Sequence, residues 1–444
     1  MPESSTASSQ RPVVIATLGT HGDVRPIIAL GRGLQQRGYR VRVLTSANFA
    51  ALILANGLEF YPLSGDHQKL LQGHPDIAEM RGGWRGIWGK LRAQLMEWAR
   101  DWADQGRAAC ADAGLILGVG SASFLAHSLG QRYGLPVVFA QLQPLTASRH
   151  LPLMVMPTVR LPGLVSVALH HVMRFAGWQL MRPALNEVVR PALGLPAYPW
   201  SGPDRSALRV LYGYSAHLCP RPPDWPESAQ VCGFWQLPQP QWQPPAALQA
   251  FLQAGPPPLY IGFGSMTSND AAQLTATVKA AVRLTGQRAL LASGWGGLAA
   301  GEDADDDATR FFHLEQAPHD WLFPRVAVAV HHGGAGTTGA ALTAGIPSVV
   351  LPFGYDQPFW AHCLAQRGVA PPALSRNGLL PQTLADAIDQ ASTPAMRAAA
   401  AALGQRIRDE DGIRRAVDQL EAWALLEAGA PVSVDARSTQ PAMA

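Results

Sequence analysis

Residues 326–357 read VAVAVHHGGAGTTGAALTAGIPSVVLPFGYDQ, and the rest of the chain is organised around them. An apolar run ends in His331 and His332, a glycine-rich turn follows, and Thr337 and Thr338 open an alanine-rich helix. A second apolar run closes on Gly354, Tyr355, Asp356 and Gln357. Strand, turn, helix and strand in about thirty residues is the length of one βαβ unit. Gly333, Gly334 and Gly336 let backbone amides approach an anion with no Cβ in the way. Thr337 stands at the helix N-terminus, where unpaired donors and the positive end of the dipole gather. The expected ligand is a diphosphate, with Asp356 and Gln357 one strand later to reach the hydroxyls of an attached sugar. Two other readings stay open. From Gly334 to Gly339 the letters also spell G-x-G-x-x-G, and Asp356 follows Gly336 by twenty residues. That is the dinucleotide fingerprint with its ribose-binding acid. A turn that binds nothing is the third reading.

Working outward, the same unit recurs. Residues 259–263 predict a strand running into Gly264, Ser265 and Met266, then a helix over 270–285. Residues 289–292 predict another strand. The N-terminal half opens alike: a strand at 13–18, the turn GTHGDVRP, a helix from about Pro26 to Arg37 and a strand at 41–45. Proline belongs near the first position of a helix. Repeated strand, glycine turn and helix predict an α/β protein built from doubly wound sheets, with ligands at the carboxyl ends of the strands. His21 and Asp23 then stand at a site mouth. Asp23 suits a general base, and it equally suits a helix cap. Further strands are expected at 115–117 and 137–140, with a helix between them, and helices at 384–391, 395–408 and 414–428.

The length of 444 residues suggests two domains. A proline-dense segment, 236–258, reads as their connection, between an N-terminal domain at 11–235 and a C-terminal domain at 259–413. Residues 414–430 are expected as a closing helix, and 1–10 and 431–444 as disordered tails. A net charge of +3 leaves no footprint for nucleic acid. Cys110, Cys219, Cys232 and Cys363 are scattered, without a C-x-x-C pair or a secretory leader, so a reduced, cytoplasmic protein is expected. No segment has the character of a membrane span. Trp84, Trp88, Leu91, Leu95, Trp98 and Trp102 mark one face of an amphipathic helix. Packing on the first domain is the favoured reading of that face. A peripheral membrane contact or the wall of an apolar acceptor pocket is the alternative. Residues 151–191 are apolar and helical in pattern; His170, His171 and Trp178 read as packed or pocket-lining, since no metal-ligand spacing accompanies them. The acidic run at 302–307 reads as a solvated loop rather than a metal site.

Taken together, GTHGDVRPIIALGRGLQQRGYRVRVLT, GLEFYPL, DWPESAQVCGFW, YIGFGSM, PHDWLFP, HHGGAGTT and PFGYDQPFW, in this order, resemble the sterol 3-β-glucosyltransferase group of the UDP-glycosyltransferases, glycosyltransferase family 1. The resemblance implies a GT-B fold: two Rossmann-like domains facing across a cleft, acceptor on the first, nucleotide sugar on the second, and a last helix crossing back. It implies that His332 contacts the donor diphosphate, with Gly334, Gly336 and Thr337 as the phosphate turn. Asp356 and Gln357 would hold the sugar, and Gly264 and Ser265 a second donor-side turn. Trp295, Gln316, Ala317 and His319 would lie at the uracil pocket. Asp23 falls where related enzymes carry their base. Plant relatives orient a histidine base with an aspartate, and residues 118–123 offer no carboxylate here, which favours Asp23 unaided, with His21 as the runner-up. Trp84, Trp88, His170 and Trp178 are the acceptor-pocket candidates. The implied reaction is inverting transfer of a hexose, glucose first, from a UDP-sugar to a hydroxyl on an apolar acceptor, with no metal and no bound cofactor. A nucleotide-sugar epimerase, a UDP-sugar binder and a dinucleotide oxidoreductase are the competing functions.

Overall fold

The computed structural model describes residues 11–74, 84–239, 241–264, 271–293 and 307–426. Two parallel sheets organise them. The first contains β1 (Val13–Thr17), β2 (Val41–Thr45), β3 (Glu59–Pro62), β4 (Leu115–Val119), β5 (Val137–Gln141), β6 (Arg209–Tyr212) and β7 (Ala229–Val231), in the order β3-β2-β1-β4-β5-β6-β7. The second contains β8 (Leu259–Gly262), β9 (Ala289–Ala292), β10 (Phe311–Leu314), β11 (Val328–His331) and β12 (Ser348–Val350), ordered β10-β9-β8-β11-β12. Central strands β1, β4, β8 and β11 are buried at every position. Helices cover both faces of such sheets, so these strands read as unbroken apolar runs rather than alternating ones. Val13 pairs with both Val41 and Leu115, and Val328 with Leu259. The winding reverses between β1 and β4 and again between β8 and β11, and ligands of this architecture sit outside the strand ends at those points.

The helices used below are α1 (His21–Gln36), α2 (Trp84–Cys110), α3 (Ser123–Tyr133), α4 (Gly163–Pro183), α5 (Ala271–Thr285), α6 (Ala335–Ala344), α7 (Gln357–Gln366) and α8 (Gly412–Ala422). Helix α1 starts at His21, a turn before the position expected from Pro26, which lies inside it. The cause is a capping box: Thr20 accepts from the Gly22 amide while its own amide donates to Asp23 at 2.9 Å. Strands β3, β6, β7 and β10 were not expected. They are three or four residues long with partly exposed side chains; β3, β7 and β10 are outer strands of their sheets and β6 is next to one, so they lack an apolar signature.

The tryptophan stripe of α2 turns inward. Leu95 is 7% and Trp102 0% exposed, and the Trp102 ring nitrogen donates to the Ser64 carbonyl at 2.7 Å. Trp235 and Leu237, at the start of the connection, belong to the core of the first lobe. A separate apolar cluster spans both lobes, joining Tyr214, Leu218 and Trp225 to Phe359, Trp360 and Leu364. Helix α8 returns to the first lobe, where Ala416, Val417 and Leu420 join the core beneath α1. Gly33 makes room for it, since a Cβ there would run into Ile413. Arg37 clamps it by pairing with Asp418 and Glu421. Residues 1–10 and 427–444, including the end of the expected closing helix, lie outside the described residues.

Candidate active site between the two lobes

The turn after β1 builds the first half of the site. The carboxylate of Asp23 folds back over Gly19, where any Cβ would collide with it. Asp23 is half-buried at the cleft floor, and loss of water raises its pKa to about 6; the Thr20 hydrogen bonds oppose the rise, and the charge of Asp356 in the other lobe adds to it. The two carboxylates, one on each lobe, are thus near enough for one charge to act on the other. Two residues earlier, His21 is exposed and sets its ring edge-on to Phe49 at 5.0 Å. Partial desolvation of the ring, and then the neighbouring charge of Arg25, lower its pKa.

The second half is the glycine turn after β11. The His332 ring sits between two glycines: a Cβ at Gly264 would lie 3.1 Å from it and one at Gly334 only 2.5 Å away. Gly264 itself has φ of +62°, and Gly333 has +91°. Gly334 caps α6 with no side-chain acceptor, so the first amides of the helix keep their hydrogen-bonding capacity for something else. Gly336 faces open space. Around this turn the ring nitrogens His331 Nε2 and His332 Nδ1 and the hydroxyl of Thr338 are buried without a protein partner. Burial drives His332 down to about 4, and burial with the charges of Arg25 and His332 drives His319 to about 3. These rings are therefore neutral, and the positive potential of the turn comes from amides and the helix dipole.

Asp356 precedes α7 and accepts from the Trp360 ring nitrogen at 2.8 Å. Burial raises its pKa, while the Trp360 hydrogen bond and Gln143, in the loop after β5 of the opposite lobe, oppose the rise. The side-chain oxygen Oε1 of Gln357 accepts from the Phe353 amide at 2.6 Å and the Gly354 amide at 3.2 Å, so it pins the turn that carries Asp356. Just before it, Tyr355 holds φ of +60°, a strained setting for a residue with a side chain. His319 stacks on Phe323 at 4.3 Å and its Nε2 meets the Tyr260 hydroxyl at 3.2 Å. Gln316 is exposed and Ala317 half-buried in the loop leaving β10, at the same end of the sheet. Ser265, Trp295 and the acidic residues 302–306 lie outside the described residues.

The acceptor candidates divide. Trp178 is 2% exposed and packs against Phe124 and Tyr198 in the first-lobe core. Its ring nitrogen donates to the Trp200 carbonyl at 2.9 Å, so even the polar edge is used internally. His170 is half-buried on α4 with Nδ1 at 2.8 Å from the Ser166 carbonyl. Trp88 is half-buried on α2, and the side chain of Trp84 is not among those described. Three residues that matter here were not singled out from the sequence: Gln143, Arg25 and Trp360. Arg25 and Trp360 lie inside GDVRP and PFGYDQPFW, where helical spacing from Asp356 to Trp360 was the available signal. Gln143 reaches Asp356 from 213 residues away, and nothing local announces it.

Residues 13–127 match the glycosyltransferase family 28 N-terminal domain, and residues 312–421 match the erythromycin biosynthesis protein CIII-like C-terminal domain. Sterol 3-beta-glucosyltransferase UGT80A2 of Arabidopsis thaliana is 34% identical over 91% of this chain and 64% of its own length. Sterol 3-beta-glucosyltransferase UGT80B1 of the same plant is 31% identical over 94% of this chain and 69% of its own. The sterol 3-beta-glucosyltransferase of Aspergillus clavatus is 31% identical over 92% of this chain, which spans only 29% of that protein. Among solved structures, the calicheamicin glycosyltransferase CalG4 superposes with a TM-score of 0.67 at 18% identity, covering 94% of this chain and 98% of that one. The glycotransferase of kitacinnamycin gives 0.66 at 20% identity, covering 93% and 99%. With two parallel doubly wound lobes closed over a glycine-threonine turn and a facing carboxylate, the chain belongs to the sterol 3-β-glucosyltransferase family of GT-B glycosyltransferases.

Proposed function

We propose that the protein transfers a hexose, glucose first, from a UDP-sugar to a hydroxyl of an apolar acceptor, with inversion at the anomeric carbon. The observation that carries this is the pairing of two half-sites at the two winding reversals: Asp23 on one, the uncapped glycine turn on the other, with Asp356 between them. In the reaction, the acceptor oxygen forms a bond to the anomeric carbon while the bond from that carbon to the diphosphate oxygen breaks. The acceptor proton goes to the Asp23 carboxylate. A base with a pKa near 6 is ionised at neutral pH yet basic enough to take a proton in the transition state. The charge left on the diphosphate is met by the amides of residues 333–337, the Thr337 hydroxyl and the dipole of α6. One such positioned donor is worth on the order of 3 kcal/mol in the transition state. With that neutralisation supplied by the chain, the reading calls for no metal and no bound cofactor. Asp356, held by Trp360, orients the sugar hydroxyls.

Asp23 is preferred over His21 because it is the group whose setting tunes it toward neutrality from below, while His21 is turned edge-on to Phe49. Sterols, polyketides, flavonoids and lipid-like alcohols share the required chemistry. No observation favours the epimerase, the non-catalytic binder or the dinucleotide enzyme. Among the described residues no helix is long and apolar enough to cross a membrane, and the scattered buried cysteines fit a reducing, cytoplasmic setting. The deciding assay is product mass from a panel of UDP- and dTDP-sugars against a mixed panel of apolar alcohols. A product heavier than one alcohol by a hexose residue, with UDP released, is the expected result; NAD turnover or epimerised donor alone would sink the reading.

A further inference from the structure

Arg205 carries a charge that nothing in its lobe answers. It lies in the segment between α4 and β6, half-buried, with its guanidinium carbon 4.9 Å from the centre of the Phe124 ring and 5.6 Å from that of Phe139. Among the described residues its side chain makes no hydrogen bond and no ion pair. Loss of water lowers its pKa to about 10, and the charge of Arg174 on α4 adds to the fall. Tyr212 and Tyr198 oppose it, and no carboxylate does. The group is still protonated at neutral pH.

The want of acid is built into the chain. Residues 113–186, which supply α3, β5 and α4 around this point, contain no aspartate or glutamate. Asp204 is adjacent in sequence, but it is exposed and its carboxylate accepts from the Ser206 amide at 2.9 Å. Arg174 is exposed, its Nη2 lies 2.7 Å from the His171 ring nitrogen, and it too has no acidic partner among the described residues. His127, half-buried on α3, meets the Tyr198 hydroxyl at 2.6 Å; burial, then the charges of Arg190 and Arg205, lower its pKa. Arg190, by contrast, is satisfied by the Pro196 carbonyl and the Gln131 side chain. The faces of two phenyl rings offset only part of what stripping water from a guanidinium costs, and a second cation nearby adds to that cost. An oxyanion between Arg205 and Arg174 would offset both, through charge-assisted bonds to the planar fork.

The place borders the cleft. Tyr212 ends β6, and its hydroxyl lies 2.9 Å from the Thr146 amide and 2.7 Å from the Thr146 hydroxyl, in the loop after β5. The same loop carries Gln143, which acts on Asp356. Phe124 belongs to the first turn of α3, reached from the carboxyl end of β4, and β4 is the neighbour of β1, whose following turn holds Asp23.

We propose that Arg205, with Arg174, receives a carboxylate at the far end of the acceptor, so that the favoured acceptors are apolar hydroxy acids rather than neutral alcohols. What happens at the hydroxyl rests on the transferase reading above; the capture of the carboxylate does not.

The test is equilibrium binding to the full chain, followed by tryptophan fluorescence, of hydroxy fatty acids of graded chain length and of their methyl esters. At the best-fitting length the wild type is expected to bind the acid on the order of tenfold more tightly than its ester. Arg205→Gln is expected to abolish that preference and Arg205→Lys to restore part of it. Arg174→Gln, at the exposed rim, is expected to reduce it about threefold. Arg205→Gln removes a desolvated charge that has no partner, so it should melt no lower than the wild type. Acid and ester bound alike by the wild type at every length, or an Arg205→Gln chain that melts like the wild type and still prefers the acid, overturns the proposal. So does tight binding of inorganic phosphate at the two arginines that the acid fails to displace, which would assign the site to a free oxyanion. Product mass with a UDP-sugar is read separately. A chain that prefers the acid in binding yet transfers no sugar keeps the carboxylate subsite and loses only the transferase reading.

Discussion

Asp23 serves two masters. Its carboxylate closes a capping box on α1 and also faces the opposite lobe. Its folded pKa of about 6 lies above the ordinary 3.8, so the folded state holds the proton more tightly than the unfolded chain does. Ionised Asp23 therefore weakens the fold as pH rises through 6, by on the order of 3 kcal/mol before solvent at the cleft mouth screens the effect. Asp23→Asn keeps an acceptor for Thr20 and is expected to melt higher than wild type at pH 8 but not at pH 4, while turnover is lost and UDP affinity stays within a few-fold. Calorimetry at the two pH values and titration with UDP check this; an active Asp23→Asn enzyme would move the base elsewhere. In the wild type, kcat/KM is expected to rise with pH through an apparent pKa near 6. His21→Ala should keep that limb, and its disappearance would transfer the role to His21. At this scale the turns that carry Asp23, His332 and Asp356 were legible because turn chemistry is local. Gln143 was not, since its partner is supplied by the other lobe.

At the scale of elements, the phosphate turn depends on two missing Cβ atoms around one ring. Gly334→Ala would drive a methyl to within 2.5 Å of His332 Nε2 and push the ring off its seat. Donor affinity is expected to drop at least tenfold in a UDP titration, with the melting temperature changed little; unchanged affinity would remove the turn from the donor site. Gly264→Ala adds backbone strain at φ of +62° to a contact of 3.1 Å, and should cost about 1 kcal/mol or more of stability in a denaturant melt as well. Central strands and their following helices were readable because burial on both faces leaves an apolar run that nothing else in the chain imitates. Strands β3, β6 and β7, at or next to a sheet edge, escaped because a short, half-exposed segment such as EFYP or AQV has no such mark. The start of α1 was misplaced because Pro26 is a familiar first-turn residue, whereas the Thr20 and Asp23 pair outranks it by satisfying two backbone groups. For Trp178 the sequence left packed and pocket-lining both open, because an aromatic among apolar neighbours looks the same from either side of a wall.

Over the whole molecule, the chain leaves its first lobe through Phe234, Trp235 and Leu237 and comes home through α8. Leu420, 0% exposed beneath α1, should cost about 2–5 kcal/mol when cut to alanine, measured by urea denaturation of the full chain. Unchanged stability would show that the returning helix is an ornament rather than a staple. The two-lobe plan was visible in the repeated strand, turn and helix. The cluster that welds the lobes along one edge was not, because Tyr214 and Trp360 meet only after both halves have folded. The homecoming helix also governs how such proteins can be recombined. A hybrid that takes its first half from one relative and its second from another, joined in the proline-rich connection, would seat a foreign Ile413 in the notch left by Gly33 and offer foreign partners to Arg37. Exchange of substrate ranges between relatives by cut and splice therefore calls for two junctions, with the segment from Gly412 onward travelling with the opening segment rather than with the half that encodes it.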